Sequence, residues 1–167
     1  GMLCLSSNEN PRGPGKTVMK AVRAAFGEGG RTPGRYSSSS GDLIDAIAKK
    51  FGVKPENIVL GCGSPQVLRT ATHIFTAKDK ALVGTIPTYE ECAGYAEMMG
   101  HPVRAVALDA DFKMDLGKIA DAAKGAAMVL YCNPNNPTAP HVGARATRDF
   151  LANANRGAPA TTILADA

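Results

Sequence analysis

Four short stretches carry side chains that could bind or orient a small molecule, and each lies at the end of an apolar run. Asn133-Pro134-Asn135-Asn136-Pro137-Thr138 follows the buried-strand pattern of 127–132. Proline cannot donate to a sheet ladder and asparagine tolerates tight turns, so these residues read as an irregular loop at a strand's C-terminal end. In open parallel sheets that is where ligands bind, and an asparagine amide offers them both a donor and an acceptor. Gly61-Cys62-Gly63-Ser64-Pro65-Gln66 leads from a second apolar run into a helical pattern. There, backbone N–H groups and the helix dipole could face an anion. It is neither a Walker A loop nor GxGxxG, and taken alone it is more often only a helix start capped by Ser64, with Pro65 lacking one possible donor. Pro87-Thr88-Tyr89 places an aromatic ring at the rim, to stack on a flat ligand or to staple its helix to the core. Asp166 ends the last apolar run, either as a site carboxylate or as a solvated one. An anion cradle, an aromatic plate, an amide and a carboxylate at neighbouring strand ends together suggest a planar, phosphorylated heterocycle.

The elements that must position these groups follow from the hydrophobic pattern. Apolar β-type runs occur at 57–60, 80–86, 103–108, 127–132 and 161–165, their starts 23, 23, 24 and 34 residues apart. Helical patterns at about 65–77, 89–99, 115–123 and 143–155 fill the intervals. Such alternation predicts βαβ units and a mostly parallel sheet covered on both faces, an α/β three-layer fold. Thr88 to Glu91 reads as a capping box, and Asp115 as the cap of the next helix. Upstream, a Pro/Gly-rich arm (Asn8, Asn10, Gly13) precedes a first helix at about 17–26, and a Gly/Ser-rich connection runs to Ser40. Ser39 and Asp42 resemble a capping box for a helix bearing Leu43, Ile44, Ile47 and Phe51 on one stripe.

Composition bounds the function. The 167 residues suffice for a sizeable core. Nineteen Lys and Arg against fifteen Asp and Glu give a modest +4, scattered without the basic stripe that nucleic acid requires. No apolar run reaches the roughly 18 residues of a membrane span, and no signal peptide is evident, so a cytoplasmic protein is expected. Cys4, Cys62, Cys92 and Cys132 form no CxxC pair and have no histidine at zinc spacing; they read as buried free thiols, and no metal site is expected. The opening Gly1-Met2 looks like a tag scar.

The ordered set of Leu5-Ser6-Ser7-Asn8-Glu9-Asn10-Pro11 with Gly13-Pro14, Arg35-Tyr36, Gly61-Cys62-Gly63-Ser64, Pro87-Thr88-Tyr89 and the asparagine loop resembles the fold-type I (class I/II) pyridoxal-phosphate aminotransferases. It is most similar to their histidinol-phosphate aminotransferase branch, and the resemblance covers nearly the whole chain. It implies an N-terminal arm, first helix and flexible loop at 1–39, with the first part of the large cofactor domain at 40–167.

By that resemblance pyridoxal 5'-phosphate is the cofactor. Asn136 would bond its phenolic oxygen, Tyr89 would stack on the ring, and Asp166 would pair with the pyridine nitrogen and keep it protonated. Gly63, Ser64 and Gln66 would hold the phosphate, and Tyr36 would reach the phosphate of a neighbouring subunit in a homodimer. Asn8, Asn10 and Gly13 would lie near the entrance for an amino-acid or 2-oxo-acid substrate. Two departures stand out: Ser-Pro-Gln replaces the branch's usual Ser-Asp-Glu after Gly63, and Ala139 replaces the glycine after Asn-Pro-Thr. The family's Schiff-base lysine would lie beyond Asp166, and none of the ten lysines here matches it, so these residues alone are not expected to transaminate. A lyase or decarboxylase on the same fold, a non-catalytic module binding a phosphorylated heterocycle, and an inactive, self-associating piece are the rival readings.

Overall fold

The computed structural model describes residues 7–26, 36 and 40–167. They fall into two compact units that divide between Val59 and Leu60. The first unit holds α1 (Lys16–Phe26) and α2 (Gly41–Phe51), followed by a 3₁₀ turn at Pro55–Asn57. Val18, Val22 and Phe26 share one face of α1 and are exposed. Gly52 closes α2 in the left-handed conformation, φ +67°, with its N–H on the carbonyl of Ala48. Ser39, the expected cap, lies outside the described residues.

The second unit alternates α3 (Ser64–Phe75), β1 (Leu82–Ile86), α4 (Glu91–Met98), β2 (Val103–Ala107), α5 (Leu116–Ala123), β3 (Met128–Cys132), α6 (Ala144–Gly157) and β4 (Thr162–Asp166). All four strands run parallel in the order β2-β1-β3-β4. Strands buried on both sides need helices above and below. Leu68 of α3 and Cys92 and Ala96 of α4 pack with Leu82, Met128 and Leu130 on one face. Ile119 and Ala123 of α5 and Phe150 and Ala154 of α6 pack with Val83, Val129 and Tyr131 on the other. The Tyr131 and Phe150 rings meet at 5.3 Å between centroids. This is the expected three-layer arrangement. Among the described residues no helix is long and apolar enough to cross a membrane.

The order has one reversal. The chain leaves β1 for β2 on one side, then passes back over β1 to β3 and moves away on the other side to β4. β1 and β3 therefore flank a topological switch point, and the helices that follow them, α4 and α6, lie on opposite faces.

Two expectations from the pattern are corrected. Residues 57–60 form no strand: Ile58 is extended (φ −109°, ψ 125°), but no described strand lies beside it, and a strand exists only through its ladder. Thr88 does not cap α4, whose N-cap is Glu90 with no side-chain bond, because the Thr88 hydroxyl is turned to Asn135. Asp115 does cap α5, accepting from Lys118 N–H at 3.0 Å.

Met128 is fully buried where the sheet meets α3 and α4. Met128→Ala is expected to lower unfolding free energy by about 2–5 kcal/mol. Arg145→Ala, on the exposed face of α6, should stay within about 0.5 kcal/mol. Urea titration followed by circular dichroism measures both.

Candidate functional site

The loop after β3 is held by its own amides. Asn133 pairs its side chain with Val142 like a strand neighbour, donating to the carbonyl at 3.0 Å and accepting from the N–H at 2.8 Å. Its backbone N–H donates to Asp166 O at 2.8 Å, extending the β3–β4 ladder to the rim. Asn135 is 2% exposed, and its amide bonds Pro87, Thr88 and Thr138. Asn136 differs: it is half-buried, and its side-chain amide takes no hydrogen bond among the described residues. Of the three asparagines, it alone leaves its whole side-chain amide unengaged among the described residues.

Asp166 ends β4 in register with Cys132. The Cys132 thiol lies 3.8 Å from the Asp166 carboxylate and 3.5 Å from the carbonyl of Pro134. Burial pushes the thiol's pKa up; the Asn136 N–H and the Thr88 hydroxyl oppose that, and the Asp166 charge adds to it. The same carboxylate raises the pKa of Tyr89, after burial and the charges of Glu91 and Glu90, and that of Cys92, after burial. One negative charge felt at Tyr89, Cys92 and Cys132 brings the ends of β1, β3 and β4 into one neighbourhood. Tyr89 itself is half-buried against the α3–α4 face, so its ring packs on the core beside the rim.

The glycine loop reaches the same rim by the direction of α3. The last turn of α3 lies where the strands begin: Ile74 and Phe75 border a cleft of about 390 Å³ with Lys80, Ala127 and Thr162. A twelve-residue helix is roughly 18 Å long, enough to traverse a five-residue strand of roughly 16 Å. The N-terminus of α3 therefore faces the strands' C-terminal ends. Gly63 is its N-cap at φ +83°, a conformation that strains any side chain, and a Cβ on Gly61 would lie 2.8 Å from Val67. Ser64 is the first helical residue rather than the cap. The N–H groups of Ser64 and Gln66 open the helix without an intrahelical acceptor. The side-chain oxygen of Gln66 accepts from Cys62 N–H, bracing the turn and leaving its NH₂ outward. Pro65 removes one donor, so this cradle carries fewer backbone N–H groups than a proline-free turn would.

Asn8, Asn10, Gly13 and Tyr36 belong to the N-terminal unit. Asn10 and Gly13 form a local turn, with Gly13 N–H on Asn10 O at 3.0 Å and Asn10 Nδ2 on Gly13 O at 3.1 Å. Asn8 and Tyr36 are exposed. In the C-terminal unit Lys78 and Lys80 flank the turn before β1, away from the rim. Lys113, Lys118 and Lys124 are ion-paired with Asp111, Asp115 and Asp121. No group of three or more metal-ligating side chains occurs among the described residues.

Comparison with known proteins decides the family. The model for aminotransferase class I and II matches residues 1–159. The chain belongs to that family. It is 34% identical over 149 residues to histidinol-phosphate aminotransferase of Moorella thermoacetica, covering 88% of this chain and 37% of that protein. To the enzyme of that name from Symbiobacterium thermophilum it is 31% identical over 163 residues, covering 97% of this chain and 43% of that protein. The crystal structure of histidinol-phosphate aminotransferase from Sinorhizobium meliloti, in complex with pyridoxal-5'-phosphate, superposes with a TM-score of 0.84 at 23% identity, over 95% of this chain and 42% of that one. The chain thus spans less than half the length of these aminotransferases, and the shared fold is that of the family.

Three predictions follow from the site's local physics. Cys62 is exposed, contrary to the expected burial, whereas Cys92 and Cys132 are buried and protonate more readily than free thiols. Iodoacetamide at pH 8 should modify Cys62 at least roughly tenfold faster than Cys92 and Cys132, read by peptide mass spectrometry; Cys4 lies outside the described residues. Because folding raises the pKa of Cys92 and Cys132, their contribution to stability is full below the free-thiol value of about 8.5. It is lost as pH climbs through their folded values, so stability should fall above that pH and not below it. Ala139 sits at φ +66° in the turn closed by its N–H on Asn135 O at 2.7 Å, so the turn keeps the left-handed form in which glycine is relaxed. Relief of about 1–2 kcal/mol of strain, offset by glycine's extra unfolded freedom, predicts that Ala139→Gly stabilises by about 0.5–1 kcal/mol in the same urea titration.

Proposed function

We propose that this chain forms the cofactor-cradling part of a pyridoxal-phosphate aminotransferase that moves an amino group between an amino acid and a 2-oxo acid or related carbonyl. The observation that carries the reading is the half-buried, unengaged amide of Asn136 beside an acceptor-only carboxylate and an aromatic ring, at a switch-point rim toward which a helix N-terminus points. These residues fit the cofactor. Asn136 donates to the phenolic oxygen and favours its anion. The ring of Tyr89 covers one face of the pyridine. Asp166 would accept a hydrogen bond from the pyridinium N–H and so keep that nitrogen protonated; the bound cofactor would supply an electron sink for the substrate's Cα. Gly63, Ser64 and Gln66 receive the phosphate, with Gln66 offering its NH₂ in place of a carboxylate that would repel it.

Tyr36, contributed across a homodimer interface, completes the phosphate site of the neighbouring subunit, and Asn8, Asn10 and Gly13 border the substrate entrance. The names of its relatives favour amino transfer over decarboxylation and suggest histidinol phosphate as the amino donor. A small-molecule substrate in an aqueous compartment suits the cytoplasm.

The full-length protein should bind pyridoxal phosphate with a visible absorption band and transfer amino groups from histidinol phosphate to 2-oxoglutarate. Asn136→Ala should weaken cofactor binding roughly tenfold, the cost of one hydrogen bond to a charged oxygen. Spectrophotometric titration checks this. Binding of a nucleotide with no affinity for pyridoxal phosphate would instead establish the non-catalytic module.

A further inference from the structure

The sheet is unevenly laced. β1 pairs with β2 over five residues, Leu82–Val103 to Ile86–Ala107, and β3 pairs with β4 over five, Met128–Thr162 to Cys132–Asp166. Between β1 and β3 only two residue pairs match, Leu82–Met128 and Val83–Val129. From Gly84 and Leu130 onward no residues of these two strands are paired, and the rim between them has no backbone ladder. The switch-point crevice is that gap.

One side chain spans it. Asn135 Nδ2 donates to Pro87 O at 3.0 Å and to Thr138 Oγ1 at 2.7 Å, and Asn135 Oδ1 accepts from Thr88 Oγ1 at 2.7 Å. A carbonyl can only accept, so the Pro87 contact fixes which end of the amide is nitrogen, and Thr88 must then donate. Both amide hydrogens and one oxygen lone pair are engaged, in a side chain that is 2% exposed. The amide reproduces a ladder rung: donor and acceptor toward the β1 loop, supplied from the β3 loop. Residues 47 and 48 positions apart are joined immediately before Tyr89 on one side and immediately before Asn136 on the other.

We propose that Asn135, with Thr88, is a positioning clasp that sets the separation of Tyr89 from Asn136 across the switch-point crevice, and so the width of the slot that receives the cofactor ring. The proposal rests on the aminotransferase reading above. Asn135 touches no ligand in this role; it acts through Asn136 on one side and Tyr89 on the other. Neither neighbour is otherwise tied across the gap by a side-chain bond among the described residues.

The test is a double-mutant cycle in the full-length protein, titrated with pyridoxal phosphate. Apo-protein melting followed by circular dichroism shows that each variant is folded. Thr88→Val removes the hydroxyl and keeps the shape. It should weaken cofactor binding roughly tenfold by leaving the buried Asn135 oxygen unpaired and free to shift. It should also move the bound cofactor's visible absorption in the direction of Asn136→Ala. Thr88→Ser, which keeps the hydroxyl, should restore both. In the Asn136→Ala background Thr88→Val should add clearly less than it does alone, since one of the two groups it positions is gone. Thr138→Val, which cuts the same amide's other contact, carries the same expectations if Thr88→Val does not fold.

Unchanged affinity and absorption in Thr88→Val, with Asn136→Ala still impaired, would overturn the clasp and leave the cofactor reading standing. An undiminished Thr88→Val effect in the Asn136→Ala background would overturn it as well. If Asn136→Ala itself binds normally, the cofactor reading fails and the clasp with it.

Discussion

Everything at the rim depends on how two parallel strands separate. A reversal of strand order forces β1 and β3 to send their chains to opposite faces, and beyond Val83 and Val129 no residues of the two strands are paired. Asn135 replaces the missing rungs with two side-chain bonds, to Pro87 and Thr88, made in near-complete burial. A buried amide is tolerable only when satisfied, since an unpaired one costs about 1–3 kcal/mol. The fit of Asn135 to Pro87, Thr88 and Thr138 is therefore both a requirement of burial and the device that fixes the crevice.

Around that crevice the asparagines divide their work by environment. Asn133 closes the loop on Val142 and Asn135 closes the gap, which leaves Asn136 at the surface they define with its amide unspent. Cys132 lies beneath, its sulfur against the Pro134 carbonyl and the Asp166 carboxylate, linking the loop to the last strand. From the other side the Arg69–Glu91 ion pair joins α3 to α4, and Leu68 packs beside Cys92, so the glycine turn that opens α3 is carried on the same packed face as Tyr89. An aromatic ring, an amide, a carboxylate and a helix N-terminus thus come from four different segments.

Much of this was legible in the sequence because the hydrophobic period is strong. The four strands of the sheet and the six α-helices of the described residues lie within a few residues of their apolar patterns, and the positions of Tyr89, Asn136 and Asp166 followed from the strand ends. What was not legible is what depends on partners distant in sequence. The run at 57–60 has strand composition, yet a strand is a relation between segments and no described strand meets it. Thr88 to Glu91 has the letters of a capping box, but the hydroxyl forms its bond with a residue 47 positions away. Asn135 could be read as a turn former from its neighbours. Its span across the crevice required the strand order, which no local pattern reports. Cys62 is exposed because it lies in a turn beside Gly63, whose φ of +83° no apolar pattern reports.

The unequal pairing also bears on how the molecule fluctuates. Two ribbons of five matched residues each, β2 with β1 and β4 with β3, meet along a line with only two. Cooperative opening follows the line of fewest bonds, so sub-global unfolding should separate these ribbons before it frays either one. Any molecule that lodges in the crevice bridges that line and binds only when the ribbons are together. Its binding free energy is then added to the cohesion of the sheet, by the mass-action linkage that couples a ligand to the state it prefers. The place where the fold is least sewn is thus the place where a guest has the greatest leverage on its stability.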